Sequence, residues 1–193
     1  MIKKLSDIAD ISPGYPFRTS IEPDDNSDVY VVQLRDAQPT GQINQNQIIK
    51  TTLPGKKNPI WLESGDILFS ARGSKNFAAL VEGLPKKTVC SPHFFIVKVK
   101  KSAMDKVSAE FICWQLNQLY AQRYFIKTAE GGINLGIRRK VLESVPIKLI
   151  PINKQREIVA LHRSSLSEQK ILQQLIENRQ QELKAIALDL LNK

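Results

Sequence analysis

The 193 residues of this sequence are enough for one ordinary domain with an appendage, or for two small domains. Hydrophobic residues make up 42% and charged residues 24%, which indicates a globular chain and excludes a disordered one. The net charge is +9, and no apolar run reaches the ~20 residues that a membrane-spanning helix needs, so we expect no membrane segment.

Cysteine usage and the N-terminal stretch both predict a cytoplasmic protein. Cys90 and Cys113 are flanked by apolar residues, which indicates reduced thiols in a core, with a disulfide between them as the alternative. Residues 1–14, MIKKLSDIADISPG, contain basic residues but no apolar stretch after them, so we expect no signal peptide.

The excess of positive charge is concentrated in the middle of the sequence. Residues 72–148 hold 14 Lys or Arg and 5 Asp or Glu, a difference of +9, whereas the rest of the chain holds 14 of each sign. A concentrated basic excess favours a polyanionic partner, with nucleic acid ahead of an acidic membrane surface. We find no basic amphipathic helix with aromatic residues that would favour the membrane.

Strand patterns dominate the first hundred residues. Residues 5–11, LSDIADI, fit a short strand or a helical turn, and a loop rich in Pro and Gly follows them. Strands are predicted within residues 29–34 (VYVVQL), 65–70 (GDILFS) and 88–99 (TVCSPHFFIVKV), the last with Pro92 at its edge or start. This part of the chain is therefore expected to be mainly β.

The spacing of apolar residues changes after residue 107. Residues 108–125 carry apolar side chains at helical intervals, and Ser108 is suited to cap that helix at its N-terminus. Residues 131–139, GGINLGIRR, predict a Gly-rich loop, and residues 141–151, VLESVPIKLIP, return to extended structure. Strands in mixed order with one central helix predict an α+β fold rather than repeated βαβ units.

The last segment, residues 153–193, predicts one long helix. Asn153 can serve as its N-cap, and neither Gly nor Pro occurs after Pro151. About 40 residues at 1.5 Å each make a rod of about 60 Å, so its apolar stripe needs another helix or another chain as a partner. The alternative is a pair of helices that folds back at a turn near residues 162–167 (HRSSLS). The stripe consists of Ile158, Leu161, Leu166, Leu172, Leu175, Ile176, Leu183, Ile186 and Leu190.

Residues suited to catalysis are sparse. His93 and His162 are too far apart in sequence for a recognisable metal site, and no Cys-x-x-Cys, P-loop or Gly-x-Gly-x-x-Gly motif occurs. Residues 58–61, NPIW, are similar to the Asn-Pro-Pro-aromatic motif of adenine methyltransferases, but they lack its second proline and a glycine-rich cofactor loop. We therefore expect no catalytic residue, metal or cofactor in this chain.

Four stretches, taken in order, resemble the DNA-specificity subunit of type I restriction–modification enzymes. Residues 3–18 are similar to that family's opening segment, and residues 61–74 to its Gly-Asp-Ile-Leu segment with an Arg-Gly loop after it. Residues 110–122 resemble its central helix. Residues 131–159 resemble its exit strand and helix entry, with a proline, a glutamine and an isoleucine at Pro151, Gln155 and Ile158.

This resemblance implies a non-catalytic, mainly β target-recognition domain, expected at residues 1–150, that reads one half of a bipartite DNA target. The long helix, expected at residues 151–193, then acts as spacer and as the site of dimerisation and methyltransferase docking. A complete subunit of that family carries two such domains and two helices, so this chain resembles half of one. We expect a homodimer joined by coiled-coil-like pairing of the helices. The other expected partners are double-stranded DNA, a methyltransferase (M) subunit that binds S-adenosylmethionine, and the restriction (R) subunit.

The expected DNA contacts are basic and amide side chains, mostly in turn-rich loops, where Gly73, Gly131 and Gly132 let the backbone approach closely. Arg suits guanine, Asn suits adenine, and Lys and Arg suit phosphates. The predicted residues are Arg18, Thr19, Arg72, Ser74, Lys75, Asn76, Lys86, Lys87, Asn134, Arg138, Arg139 and Lys140. Two other classes of function remain open at this point: a free-standing dimeric DNA-binding regulator, and an enzyme such as a methyltransferase fragment.

Overall fold

The computed structural model describes residues 1–55, 57–73, 75–128 and 136–191. They form two compact units, Met1–Gln155 and Arg156–Lys193, where the sequence suggested a boundary at residue 150. A β-rich part followed by a long C-terminal helix confirms the predicted α+β fold. The elements are β1 (Ile2–Lys4), α1 (Leu5–Ile8), β2 (Ala9–Pro13), β3 (Tyr30–Val32), β4 (Ile49–Lys50), β5 (Ile67–Ser70), β6 (Ala78–Leu80), β7 (Thr88–Cys90), β8 (Phe94–Val99), α2 (Ala109–Asn117), α3 (Leu119–Thr128), α4 (Arg139–Glu143), β9 (Pro146–Lys148) and α5 (Ile152–Leu191), with short 3₁₀ turns at Leu34–Asp36, Gln45–Gln47 and Lys101–Ala103.

The described strands of the first unit form three small sheets. The largest is antiparallel, with the strand order β2-β8-β5-β6, and the smallest pairs β1 with β9. The third has the order β4-β3-β7, in which β3 runs antiparallel to β4 but parallel to β7. Because β3 and β7 are parallel, the loops that leave their C-terminal ends emerge at the same edge of this sheet.

The interior strand β5 of the four-stranded sheet is buried on both faces. Ile67, Leu68 and Phe69 of β5 are fully buried, although consecutive strand residues point to opposite sides. Leu68 belongs to an apolar cluster that includes Val32 of β3, whereas the ring of Phe69 contacts the ring of Phe125 in α3 at a centroid distance of 4.9 Å. The continuous apolar run that predicted this strand therefore reflects a strand covered on both sides.

Residues 88–99 form two strands rather than the one that the sequence predicted. β7 pairs with β3, whereas β8 pairs with β2 and β5 in the other sheet. A turn separates the two strands, and in it the Phe94 N–H donates to the Ser91 carbonyl at 3.2 Å. Pro92 lies in this turn, where its fixed φ and missing N–H suit a change of sheet.

The central helix is also divided. Ser108 is its N-cap as predicted, because the Ser108 Oγ accepts a hydrogen bond from the Phe111 N–H at 3.2 Å. α2 ends at Asn117 and α3 begins at Leu119, because Gln118 adopts an extended conformation with φ −79° and ψ 155°. The single helix expected over residues 108–125 is therefore wrong.

The segment before the long helix is only partly extended. Residues 139–143 form α4, so residues 141–143 are helical where extended structure was expected, and β9 is limited to Pro146–Lys148. Residues 129–135, which include most of the predicted Gly-rich loop with Gly131 and Gly132, lie outside the described residues.

α5 is one helix of 40 residues. It continues through Ser164 and Ser165, so the alternative of two helices with a turn at residues 162–167 is wrong. Asn153 lies within the first turn and is not the N-cap. The carbonyl of Pro151 accepts the first helical hydrogen bond, from the Gln155 N–H at 3.1 Å, which makes Pro151 the capping residue.

Both cysteines are buried and free, so the disulfide alternative is wrong. Burial raises the pKa of the Cys113 thiol to about 12, and it raises the pKa of Cys90 further still. The two thiols are therefore protonated and unreactive core side chains. Among the described residues, no helix is long and apolar enough to cross a membrane.

Candidate nucleic-acid interface

The loop after β2 is held against the end of β7 by a close backbone contact. The Gly14 N–H donates to the Phe94 carbonyl at 3.0 Å. A Cβ atom at Gly14 would lie 2.1 Å from the Ser91 carbonyl oxygen and 2.9 Å from that of Cys90. No residue with a side chain fits at this position unless the backbone moves.

Two aromatic residues then direct this loop outward. Tyr15 is buried, and its hydroxyl donates to the Pro54 carbonyl at 2.8 Å. The Phe17 ring packs edge-on against the Tyr15 ring at a centroid distance of 5.3 Å. Arg18 and Thr19 follow directly and are exposed, so a fixed base presents two predicted DNA contacts to solvent.

The turn between β5 and β6 presents a second pair of cations. The Ser70 Oγ lies within donor distance of the backbone carbonyls of Arg72 and Lys75, at 3.3 and 3.2 Å. The side chains of Arg72 and Lys75 are exposed. Asn76 is buried, and its side-chain Nδ2 donates to the Ser70 carbonyl at 2.9 Å. We therefore correct the expected role of Asn76, because its amide shapes this turn from inside. Ser74 lies outside the described residues.

Backbone contacts join this turn to the turn before β8 and to the segment before α4. The Ala71 N–H donates to the His93 carbonyl at 2.8 Å, and the Ala71 carbonyl accepts from the Ile137 N–H at 2.9 Å. Gly73 has a φ of +130°, and a Cβ there would lie 3.0 Å from a methyl group of Leu34. Residues 34–36, 71–73, 91–93 and 137–138 thus meet at one place on the surface.

The third predicted group of cations starts α4. Arg138, Arg139 and Lys140 are exposed, and the Arg139 Nε forms an ion pair with the Glu143 carboxylate at 2.7 Å. Asn134 of the same loop lies outside the described residues. We call the exposed side chains of Arg18, Arg72, Lys75 and Arg138 the basic loop cluster.

A cleft of about 330 Å³ opens beside this cluster. We call it the Gln33 cleft, and the residues that matter most in its lining are Thr19, Gln33, Arg35, Ser91 and His93. The Gln33 Nε2 and the Ser91 Oγ are buried and have no hydrogen-bond partner among the described residues. A buried polar group without a partner costs about 1–3 kcal/mol, so these two atoms are unusual in a folded domain.

Asp36 lies behind this cleft with a fully buried side chain. Burial raises the pKa of the Asp36 carboxyl, although a hydrogen bond from the Gln33 N–H at 2.8 Å and the Arg35 guanidinium at 3.7 Å both lower it. The carboxyl oxygen therefore fixes the backbone at Gln33, while the Arg35 side chain remains largely exposed.

Gln33, Arg35 and His93 were not among the predicted contacts. In sequence, Gln33 and His93 lie within segments predicted as strands and Arg35 directly follows one, so none of them carries a loop signal. The parallel pairing of β3 with β7 brings them together, and that pairing joins residues 58 positions apart, as in Tyr30 with Thr88. Only knowledge of this pairing would have identified them.

Lys86 and Lys87 lie at the other end of the same strand pair. They precede β7, whereas the Gln33 cleft follows it, so roughly 13 Å of strand separates Lys87 from Ser91. Lys87 forms an ion pair with Asp28, and this pair lowers the pKa of the Asp28 carboxyl. The two lysines stay predicted phosphate contacts, but they do not belong to the basic loop cluster.

The predicted apolar stripe lies on α5. Ile158 and Leu166 are half-buried, and the other seven side chains are about half exposed or more. Ile176, Leu183 and Leu190 recur at intervals of seven, with Leu172 and Ile186 four residues before Ile176 and Leu190. This spacing is the heptad pattern of a helix that pairs with another helix.

Similar solved structures show that the fold is that of restriction–modification specificity subunits. A chain from a structure of the type I R-M system, described for its complex assembly and conformational transition, shares 17% identity with a TM-score of 0.68 and covers 96% of this chain. The HsdS subunit from Thermoanaerobacter tengcongensis shares 18% identity with a TM-score of 0.60 over 87% of this chain. The type I restriction-modification S subunit from M. genitalium shares 15% identity with a TM-score of 0.54 over 83%.

The family model for the type I restriction modification DNA specificity domain matches residues 1–185. The chain therefore belongs to this family. It spans less than half of each of the three solved chains, namely 43%, 37% and 37% of their lengths. A search of curated proteins found no match. In the described part of the chain, no group of three or more His, Cys, Asp or Glu residues is placed to hold a metal ion.

Proposed function

We propose that this chain is the DNA-reading part of a type I restriction–modification system and recognises one half of a bipartite target. The observation that carries this proposal is the arrangement of three loops around His93. The Ala71 backbone, next to Arg72, bonds to His93 and to Ile137, next to Arg138, and Thr19, next to Arg18, lines the same cleft as His93. The side chains of Arg18, Arg72 and Arg138 are exposed. Cations on loops that a rigid sheet supports are suited to the phosphates and base edges of a duplex.

The proposed DNA contact has two energetic parts. Lys75 and the arginines that face phosphates supply affinity that falls steeply with salt, because bound cations release counterions. An arginine that enters the major groove instead supplies specificity by a bidentate contact to guanine. Arg72 is the strongest candidate for the second role, because the β5–β6 turn fixes its backbone through Ser70 and Asn76.

Replacement of Arg72 by alanine is expected to weaken binding to the selected target by about 1–3 kcal/mol and to leave random duplex DNA less affected. Fluorescence anisotropy with both duplexes at two salt concentrations measures this difference. Lys101→Ala is the matched control, because it removes one exposed positive charge at the far end of β8. An equal loss on both duplexes would make Arg72 a phosphate contact, and no loss on either would exclude it from the interface.

We further propose that α5 pairs with the same helix of a second copy. The exposed apolar stripe and its heptad spacing support this pairing, and a two-fold axis would place the same surface on both chains. Two identical readers related by a dyad imply a palindromic target with an interruption. The helix then acts as the spacer and docks the methyltransferase (M) subunit, which would carry S-adenosylmethionine, and the restriction (R) subunit.

Leu183→Glu is expected to convert a dimer into a monomer, because it places a charge at a heptad position that is 59% exposed in the single chain. Sedimentation equilibrium at micromolar concentration should give twice the 21.8 kDa chain mass for the wild type and the single mass for the variant. Gln181→Glu adds the same charge on the other side of α5 and should remain dimeric. A wild-type chain that is monomeric both with and without the M subunit would contradict the proposal.

A free-standing dimeric DNA-binding regulator is the second candidate, because the apolar stripe requires only another copy of α5 to become buried. The two candidates differ in their protein partners. Co-expression with a type I M subunit, followed by affinity purification of this chain, should recover both proteins if the first proposal holds. Recovery of a DNA-binding homodimer without the M subunit would favour the regulator.

A further inference from the structure

The Gln33 cleft contains a side chain whose backbone is fixed and whose amide nitrogen has no partner in the part of the chain that the structure describes. The Gln33 N–H donates to the buried Asp36 carboxylate at 2.8 Å, at the point where β3 ends and the 3₁₀ turn begins. The side-chain Nε2 is buried without a partner among the described residues. Rotation of this amide toward the open cleft therefore breaks no hydrogen bond at the nitrogen.

The Gln33 cleft lies beside the surface where the basic loop cluster would bind DNA. Thr19, next to Arg18, and His93 both line the cleft, and the His93 carbonyl accepts a hydrogen bond from the Ala71 N–H, next to Arg72. The Arg35 side chain, 64% exposed, stands at the same opening. A duplex held by the basic loop cluster would thus lie across the cleft.

The chemistry of a glutamine amide selects among the bases. Its N–H₂ and C=O groups lie side by side and match the N7 acceptor and the N6–H donor of adenine in the major groove. No other base presents that pair of groups there. A donor without a partner, as the Gln33 Nε2 is among the described residues, also gains a bond on contact rather than exchanging one.

We propose that Gln33 is a specificity-determining residue that reads an adenine in the DNA half-site, with Arg35 on the adjacent phosphate and Asp36 as the positioning residue. This inference rests on the proposed function as a DNA reader and adds a site outside the three basic loops. It predicts that one base position of the target depends on Gln33 and not on Arg72.

The test is selection of the full chain against a library of randomised duplexes, followed by sequencing, for the wild type, Gln33→Ala and Gln33→Glu. Gln33→Ala should lose its preference for adenine at one position by about 5- to 150-fold, with binding to random duplex unchanged. Gln33→Glu should shift that position toward cytosine, whose N4 amino group donates to a carboxylate. Gln47→Ala, at another exposed glutamine in a 3₁₀ turn, should select the wild-type motif.

Thermal unfolding of each variant checks that the fold is intact. If both Gln33 variants are folded and select the wild-type motif, the inference is wrong while the proposed function stands. If both lose binding to every duplex equally, Gln33 supports affinity and not specificity, which also overturns the inference. A wild-type chain that selects no motif would instead contradict the proposed function itself.

Discussion

Gln155→Ala is expected to reduce the free energy of unfolding of the first unit by about 3 kcal/mol. The Gln155 side chain is fully buried, and its Oε1 accepts from the Ser108 N–H at 3.1 Å. Its Nε2 donates to the carbonyls of Lys106 and Ile150, each at 2.7 Å. Alanine would leave these three partly buried backbone groups without their partner, at a cost of about 1 kcal/mol each, the lower end of the range for a lost partner. One side chain thus joins the N-cap of α2 to the first turn of α5.

Urea unfolding of the full chain measures this loss. At a slope of about 2 kcal/mol per molar urea, the midpoint should fall by about 1.5 M. Gln169→Ala, at an exposed glutamine of the same helix, should change the free energy of unfolding by less than about 0.5 kcal/mol. Gln155→Met separates hydrogen bonding from packing, because it keeps most of the volume and removes the amide. Full stability in the methionine variant would contradict the account given for Gln155.

Gly14→Ala is expected to cost about 2–4 kcal/mol and to disturb the loop that carries Arg18. The added Cβ would lie 2.1 Å from the Ser91 carbonyl oxygen, and this neighbour is backbone that pairs within the core. Relief of the contact requires the loop after β2 to move away from β7, which also weakens the hydrogen bond from the Tyr15 N–H to the Cys90 carbonyl. DNA affinity should therefore fall together with stability.

Gly55→Ala is the matched control for this substitution. Gly55 has a positive φ of +84°, but no atom lies within 4 Å of an added Cβ, so only backbone strain of about 1 kcal/mol opposes the change. Thermal unfolding and anisotropy on the same duplex separate the two variants. If Gly14→Ala is as stable as Gly55→Ala, the close backbone contact at Gly14 does not hold the loop.

Local patterns in the sequence were enough to predict the elements with strong and continuous signals. The buried run of β5 follows Gly65-Asp66, and α5 extends over 40 residues without Gly or Pro. Ser108 caps α2 as expected, because a hydroxyl before a helical apolar pattern acts within three residues. These elements are determined by residues close together in sequence, so local patterns were enough to predict them.

The errors occur where contacts between distant residues decide the structure. The helical spacing of apolar residues over 108–125 continues across Gln118 although the helix breaks there, and two of those residues, Leu119 and Tyr120, are exposed at the start of α3. The turn around Pro92 changes sheet because β7 pairs with β3 and β8 with β2. Asn76 matched the residue type for reading adenine, yet its amide donates to the Ser70 carbonyl, whereas the Gln33 Nε2, also buried, has no partner among the described residues and lies beside an open cleft. Residue type alone does not separate these two amides.

The central claim is that this chain reads DNA sequence, and selection from randomised duplexes by the full chain tests it most directly. The expected result is enrichment of one motif, present twice as an interrupted palindrome with a fixed spacer, whose preference at one guanine position is lost when Arg72 is replaced by alanine. Binding without enrichment, with the same salt dependence for every sequence, would contradict the claim. The basic loop cluster would then be a surface that binds polyanions without sequence specificity.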